Sequence, residues 1–203
     1  PYDDNVPSWS PGGTEIAFHS NRDGDYEIYI ITLSSGRIRQ VTSNSCADWS
    51  PVWSPDGRRF SFYSDCDGDR EIYVIDIDGG DRRQLTYDNT VSWFPSWSPD
   101  GRQITFTSYR SGRYTVFVMD ADGSNQVGLV LGCISYFSPD GSQILFGQYC
   151  NTDDYGAISV MQANGSNIRI IDDNAGRNAV WSPDGDRILF QSERTGNSEI
   201  WIM

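Results

Sequence analysis

The chain contains short apolar runs separated by turn-forming residues, and none of these runs follows a helical period. Residues 72–75 (Ile-Tyr-Val-Ile) and 116–119 (Val-Phe-Val-Met) are apolar at every position, as in strands that neighbouring sheets cover on both faces. No segment shows a convincing period of 3.6 residues. The pattern therefore predicts an all-β protein.

A five-residue motif recurs along the whole chain. Its copies, W-S-P-G-G once, W-S-P-D-G three times and F-S-P-D-G once, begin at Trp9, Trp53, Trp97, Phe137 and Trp181. The intervals are 44, 44, 40 and 44 residues, and a period of this size is typical of propeller blades or helical solenoids. Each unit contains four short β segments, predicted in the second unit at residues 52–54, 59–64, 71–76 and 82–86. Four-stranded units cannot bury their faces alone, so the repeat predicts a single five-bladed β-propeller domain over residues 1–203.

The turns between these segments have sequences that fit hairpins. Ser-Pro-Asp-Gly suits a type I turn, because proline fixes φ at the second position and glycine accepts the positive φ that follows. Asp78-Gly79 and Asn164-Gly165 stand between β-rich runs, where such pairs indicate tight hairpins. The first and third hairpins of each blade are expected at these two places.

The last unit is shorter than the others. Its strands are predicted at about 178–182, 186–191 and 198–203, which gives 19 strands where five complete blades would have 20. We therefore expect a three-stranded last blade with an open edge, which is a template for strand addition. A strand from another chain that completes this blade would make the protein a self-assembling module.

The amino-acid composition disfavours or excludes several classes of partner and chemistry. The chain has 28 acidic residues and 15 basic ones, all arginine, with a net charge of -13. This charge disfavours nucleic acid and anionic lipid as partners. The sequence has no apolar run long enough for a membrane span. The absence of lysine excludes Schiff-base chemistry.

The repeats resemble the WD-like repeats of the TolB-type β-propellers, whose blades read approximately W-S-P-D-G, I-x-F-x-S, E-I-Y-V-M-D-x-D-G and L-T. The resemblance extends over all five units, so it implies the propeller fold for the whole chain. For function it implies only a broad class, because similar repeats occur in periplasmic TolB, in propellers attached to some serine peptidases and in many secreted proteins.

The four cysteines occupy equivalent places in two units. Cys66 and Cys150 follow the second strand of units two and four, and Cys46 and Cys133 lie in loops that lead into a first strand. These loops lie at the same end of a blade, so we predict the disulfides Cys46–Cys66 and Cys133–Cys150. The other two connectivities and free thiols are the alternatives. Disulfides imply an oxidising compartment, which is the periplasm, the cell surface or the extracellular space.

The loops between second and third strands are acidic in the first two units. Ca²⁺ sites typically consist of several oxygen ligands on a turn that contains glycine. The alternative is a structural turn in which aspartate caps backbone amides. The possible ligands are Asp23, Asp25, Asp65, Asp67 and Asp69.

Two tryptophans, Trp49 and Trp93, stand four residues before a repeat-marking Trp on adjacent blades. We place them in the loops leading into the first strands, with Tyr63 and Tyr109 near the same end. Such aromatics could anchor a protein partner or stack on sugar rings. The alternative is that they pack under their own loops.

Nucleophilic catalysis has little support in the sequence. His19 is the single histidine, it lies in a predicted strand, and no G-x-S-x-G motif accompanies it. We therefore expect a non-enzymatic, exported module for protein binding or self-assembly, with no certain cofactor and with Ca²⁺ as a possible one. A carbohydrate-binding propeller is the alternative, and the propeller part of a hydrolase or lyase is a third interpretation.

Overall fold

The computed structural model describes residues 2–148 and 156–203, without the side chains of residues 174, 175 and 177. These residues form strands and turns, and no helix occurs among them. The strands of the first three blades are β1 Asp4–Trp9, β2 Glu15–Ser20, β3 Glu27–Thr32, β4 Arg37–Gln40, β5 Asp48–Trp53, β6 Arg59–Ser64, β7 Glu71–Asp76, β8 Arg83–Gln84, β9 Ser92–Trp97, β10 Gln103–Ser108, β11 Thr115–Asp120 and β12 Val127–Leu131. The remaining strands are β13 Cys133–Phe137, β14 Gln143–Gly147, β15 Gly156–Gln162, β16 Arg169–Trp181, β17 Ile188–Ser192 and β18 Glu199–Ile202.

Each of the first three blades is an antiparallel meander of four strands, as the repeat predicts. The fourth and fifth blades share one sheet of six strands, in the order β13 to β18. The shared strand is β16, in which Gly176 pairs with Gly156 on one side and with Ser192 on the other. The last blade therefore has three strands, as expected. The described residues form 18 strands instead of 19, because β16 serves two blades.

The first strands of the blades are neighbours in space. β1 contacts β5, β5 contacts β9, and β9 contacts β13. The later strands of each blade follow outward in chain order. The first strands therefore line the propeller axis.

The first three blades pack on one another through the tryptophans that mark the second and third repeats. Trp53 is 7% exposed and joins Ile28 and Ile30 of the preceding blade in one apolar cluster. The Trp53 Nε1–H donates to the Ser8 carbonyl at 3.1 Å, and the Trp97 Nε1–H donates to the Val52 carbonyl at 3.3 Å. The same contact thus recurs from one blade to the next.

Every first strand contains a bulge that the sequence did not predict. The register shifts in the middle of the strand, and a non-glycine residue adopts φ between 47° and 54°. These residues are Val6, Ser50, Phe94, Ile134 and Asn178. The strand continues on the far side of the bulge, so β5 begins at Asp48 and β9 at Ser92. The prediction of a short first strand at residues 52–54 was therefore wrong.

The predicted hairpin turns are confirmed. In the second blade the Ser54 hydroxyl donates to Asp56 Oδ1 at 2.6 Å, and the Gly57 amide donates to the Ser54 carbonyl at 2.9 Å. The third hairpin reaches the preceding blade, because a Cβ built on Gly79 would lie 2.7 Å from the Val41 carbonyl oxygen. This glycine has φ of 91°.

We predict that Gly79→Ala destabilises the protein more than Gly68→Ala. Both glycines have positive φ, but nothing lies within 4 Å of a Cβ on Gly68. Gly68→Ala should cost about 1–2 kcal/mol through backbone strain. Gly79→Ala should cost about 1–3 kcal/mol more, because its methyl group overpacks the blade interface. Urea unfolding of both variants measures the difference, and equal losses would contradict the tight contact.

Candidate functional site

One end of the propeller carries the loops that contain the predicted site residues. We call this end the loop face; it consists of the connections between blades and of the loops between second and third strands. Cys46 and Cys66 join the two kinds of loop in the second blade by a disulfide, with Cα atoms 5.0 Å apart. This confirms the first predicted pairing. The second predicted pairing, Cys133 with Cys150, lies outside the described residues, because Cys150 is not one of them.

The four predicted binding aromatics belong to one continuous array. Trp49 stacks on Tyr63 with ring centroids 5.4 Å apart. Trp93 stacks on Tyr114 at 5.4 Å, and Tyr114 meets Tyr109 edge-on at 5.0 Å. Trp49 and Trp93 lie within β5 and β9, so their predicted position in loops was wrong. The bulge lengthens each first strand and brings these indoles onto the rigid sheet.

Three further aromatics complete the array, which we call the aromatic ladder. Phe94 links its two halves, with centroids 6.0 Å from Tyr63 and 5.5 Å from Trp93. Tyr26 of the first blade lies 6.2 Å from Trp49. The ladder therefore crosses three blades; its members are Tyr26, Trp49, Tyr63, Phe94, Trp93, Tyr114 and Tyr109.

The ladder is fixed by backbone bonds between blades. In the first three blades, the residue before the third strand accepts a hydrogen bond from the next blade: Tyr26 from the Asp48 amide at 2.6 Å, Arg70 from the Ser92 amide at 2.6 Å and Tyr114 from the Gly132 amide at 3.0 Å. These three residues occupy one repeat position, 44 residues apart. The repeat spacing could have identified Tyr26 and Tyr114, whereas their contact across blades could not be read from it.

Arg70 is the cation at the centre of the ladder, and the sequence pattern did not indicate it. Its Cζ lies 5.1 Å from the ring centroid of Trp49 and 5.8 Å from that of Trp93. The side chain is half-buried. Attraction between a guanidinium and two indoles holds the cation in place.

Four other arginines are stacked in a similar way, and each of them also pairs with a carboxylate. The groups are Arg22 on Phe18 and Tyr29 with Asp4, Arg82 on Phe62 and Tyr73 with Asp48, Arg110 on Phe106 and Phe117 with Asp88, and Arg194 on Phe190 and Trp201 with Asp172. In the second blade the disulfide residue Cys66 occupies the position of the loop arginine. Arg82, which directly precedes the fourth strand of this blade, takes the place of the loop arginine and also donates to Cys66 Sγ at 3.0 Å.

Aspartate carboxylates of the acidic loops accept hydrogen bonds from residues of their own blades. Asp23 accepts a hydrogen bond from Gln40, and Asp67 accepts one from Gln84 Nε2 at 2.5 Å. Asp65 Oδ1 accepts the Ala47 amide at 2.8 Å. Within residues 2–148 and 156–203, no group of three or more His, Cys, Asp or Glu residues could hold a metal ion. Calcium binding by these aspartates, together with Asp25 and Asp69, stays a prediction from the sequence.

Two buried glutamates lie beneath the loop face at the start of third strands. Glu27 and Glu71 are both 0% exposed. Thr86 accepts the Ile72 amide at 2.8 Å and donates its hydroxyl to Glu71. Burial raises the pKa of each glutamate to about 7, against the lowering effect of the threonine hydrogen bonds to Glu27 and Glu71. Both groups therefore titrate near neutral pH.

His19 lies inside the blade interface. It is 6% exposed, and its Nδ1 accepts the Ser50 amide of the next blade at 3.3 Å. Burial lowers the pKa of the imidazole, so the ring is neutral near pH 7. The imidazole therefore has a structural role in the contact between these two blades.

Comparison with known proteins identifies the fold class and the family. Residues 6–136 match the TolB beta propeller domain. TolB from Acinetobacter baumannii superposes with a TM-score of 0.82 at 22% identity, over 100% of this chain and 51% of that one. A TolB structure from Agrobacterium tumefaciens gives 0.85 at 23% identity, over 100% of this chain and 77% of that one. The chain is thus a β-propeller, and it spans about half the length of the first of these relatives.

The chain belongs to the TolB β-propeller domain family. An oligogalacturonate lyase in complex with manganese also shares the fold, with a TM-score of 0.76 at 16% identity over 96% of this chain and 60% of that one. At these identities the solved structures support the fold alone. No curated protein matches the chain. In the described part of the chain, no helix has the length and apolar character needed to cross a bilayer.

We predict that Glu71→Gln changes how stability depends on pH. The pKa of Glu71 is raised from 4.5 to about 7, so the native state keeps a proton that the unfolded chain releases between these values. Its contribution to stability is complete below pH 4.5 and is lost as the pH rises through 7. Relative to the unchanged protein, Glu71→Gln should gain about 2 kcal/mol in unfolding free energy between about pH 5 and pH 8.

Urea unfolding across this pH range measures the effect, with the disulfide kept intact. Glu27→Gln should follow the same trend, because Glu27 has the same burial and the same raised pKa. Parallel stability curves for both variants and the unchanged protein would contradict the assignment.

Proposed function

We propose that the chain is a non-enzymatic, exported β-propeller that binds a protein partner through the loop face. The observation that carries this proposal is the aromatic ladder, which extends over three blades at one end of the fold. Aromatic side chains on rigid strands lose little entropy on binding and supply large contact areas. Tyr109 is 42% exposed at the end of the ladder, where a partner can reach it.

The contacts of the tryptophans favour a protein over a glycan. Stacking on a sugar needs a free indole face. Tyr63 stacks on Trp49, and Arg70 lies over the same indole. Tyr114 stacks on Trp93, which Arg70 also covers. Both indoles therefore already stack on protein groups of the loop face, which leaves less of their surface for a sugar ring.

The buried titratable groups support a role without catalysis. His19, the single histidine of the sequence, serves as a hydrogen-bond acceptor between two blades. Glu27 and Glu71 have pKa values near neutrality, but both are fully buried and bonded to threonines in their own blades. All three groups are therefore buried inside the fold.

The Cys46–Cys66 disulfide supports export. Disulfides of this kind persist in oxidising compartments and are rare in the cytosol. The disulfide joins two loops of the loop face, so it also limits motion where the partner would bind.

Self-assembly is a second candidate function, favoured by the last blade. β18 pairs with β17 and is the edge of its sheet among the described residues. Ile200 and Ile202 on this edge strand are 66% and 62% exposed. An edge of this kind can accept a strand from another chain.

Site-specific photo-crosslinking tests partner binding. A photoreactive phenylalanine analogue at position 109 reports the loop face, and the same analogue at position 9 is the control, because Trp9 is 62% exposed at the other end of β1. With envelope proteins of the producing cells, we expect one discrete adduct at position 109 and none at position 9. Trp49→Leu should abolish the adduct and Trp9→Leu should leave it unchanged. The crosslinked protein, identified by mass spectrometry and purified, should then bind with the same dependence.

Equal adducts at both positions, or none at either, would contradict a protein partner at the loop face. Binding of neutral glycans that Trp49→Leu abolishes would favour the carbohydrate alternative. Circular dichroism of each variant separates lost binding from lost folding.

Light scattering tests self-assembly. The unchanged chain should form oligomers above 22.8 kDa if β18 accepts a strand. Ile200→Lys places a charge on the open edge and should return the protein to monomers. A monomeric unchanged chain at every concentration would remove this second candidate.

A further inference from the structure

We propose that Arg70 is the anchor for a carboxylate of the protein partner. This inference rests on the proposed function and adds the chemistry of the contact. It assigns the centre of the loop face to an acidic side chain from an extended partner segment.

The other stacked arginines show what the Arg70 site lacks. Each of the four guanidiniums that lie over two aromatic rings also pairs with an aspartate, at 2.8 Å for Arg22, 3.0 Å for Arg82 and 2.7 Å for Arg194. Arg70 lies over two rings as well. Its guanidinium has no hydrogen-bond or ion-pair partner among the described residues. Arg70 therefore differs from the other four stacked arginines in that no carboxylate of the described residues pairs with it.

The site is built before a ligand arrives. Arg70 touches both indoles, which are themselves stacked on Tyr63 and Tyr114. Its backbone carbonyl is tied to Ser92 of the next blade. A planar guanidinium held in this way offers two parallel N–H donors, and a carboxylate accepts both. Little conformational entropy remains to be lost on binding.

The charge around Arg70 restricts the partner segment. Asp25 and Asp69 precede Tyr26 and Arg70 directly in their loops, and the chain as a whole carries a net charge of -13. A segment with several acidic residues would be repelled. The segment that fits has one carboxylate for Arg70, apolar side chains beside it for the ladder, and no further negative charge.

Peptide display tests this chemistry. A library of random linear 12-residue peptides, displayed without free C-termini, is selected on the unchanged protein and on Arg70→Gln. On the unchanged protein we expect enrichment of peptides with a single Asp or Glu next to an aromatic residue or proline. This enrichment should disappear on Arg70→Gln. Arg113→Gln is the matched control, because Arg113 is an exposed arginine in the equivalent loop of the third blade and its loss changes the net charge equally.

A double-mutant cycle then tests the contact itself. One enriched peptide is synthesised with its acidic residue and with the corresponding amide, and both are titrated against the unchanged protein and the Arg70 variants. Arg70→Gln and the amide peptide should each weaken binding by about 10-fold. The two changes together should weaken it no more than either alone. Arg70→Lys should restore part of the affinity, since it keeps the charge without the planar fork.

The outcomes separate this inference from the proposed function. Enriched peptides that contain no carboxylate, yet require Trp49, would keep the loop face as a protein-binding site and overturn the role of Arg70. Additive losses in the cycle would also overturn it. No enrichment on the unchanged protein would overturn both. If the protein bound oligogalacturonate and no peptide, the carboxylate that Arg70 binds would belong to a glycan, and the proposal of a peptide partner would be wrong.

Discussion

The structure depends on one constraint: a four-stranded blade has two apolar faces, and only neighbouring blades can cover them. The motif tryptophans meet this constraint, since Trp53 and Trp97 are buried against the preceding blade and donate their indole N–H to its first strand. Truncating a buried tryptophan of this kind costs about 3–5 kcal/mol. The contact fixes both the distance and the register between blades, because the hydrogen bond and the apolar cluster are satisfied in one arrangement only.

The loop face follows from the same register. Once the first three blades are fixed, the residue before the third strand of each lies against the start of the next blade, and its carbonyl accepts a backbone amide there. Tyr26, Arg70 and Tyr114 thereby come into line with Trp49 and Trp93. The Cys46–Cys66 disulfide and the Asp48–Arg82 pair strengthen this end of the second blade. A site made of side chains from three blades is therefore as rigid as the sheets that carry it.

The repeat was sufficient to predict the five blades, the Ser-Pro-Asp-Gly turns, the three-stranded last blade and the Cys46–Cys66 disulfide. These features depend on local turn chemistry and on equivalent positions in the repeat. The strands around Trp49 were missed because Ser50 and Pro51 resemble a loop, whereas the structure makes Ser50 a bulge with φ of 53° inside β5. Arg70 was missed because its sandwich joins indoles from two blades. Such a contact depends on the angle between sheets, which no local pattern encodes.

The first two blades are each held in place by the motif tryptophan of the blade that follows. Hydrogen exchange of the tryptophan indole N–H groups, followed by NMR, tests it most directly. We expect slow exchange for Trp53 and Trp97, whose indole N–H groups are hydrogen-bonded inside blade interfaces, and fast exchange for Trp9, which is 62% exposed. Exchange of Trp53 and Trp97 as fast as that of Trp9 would contradict it.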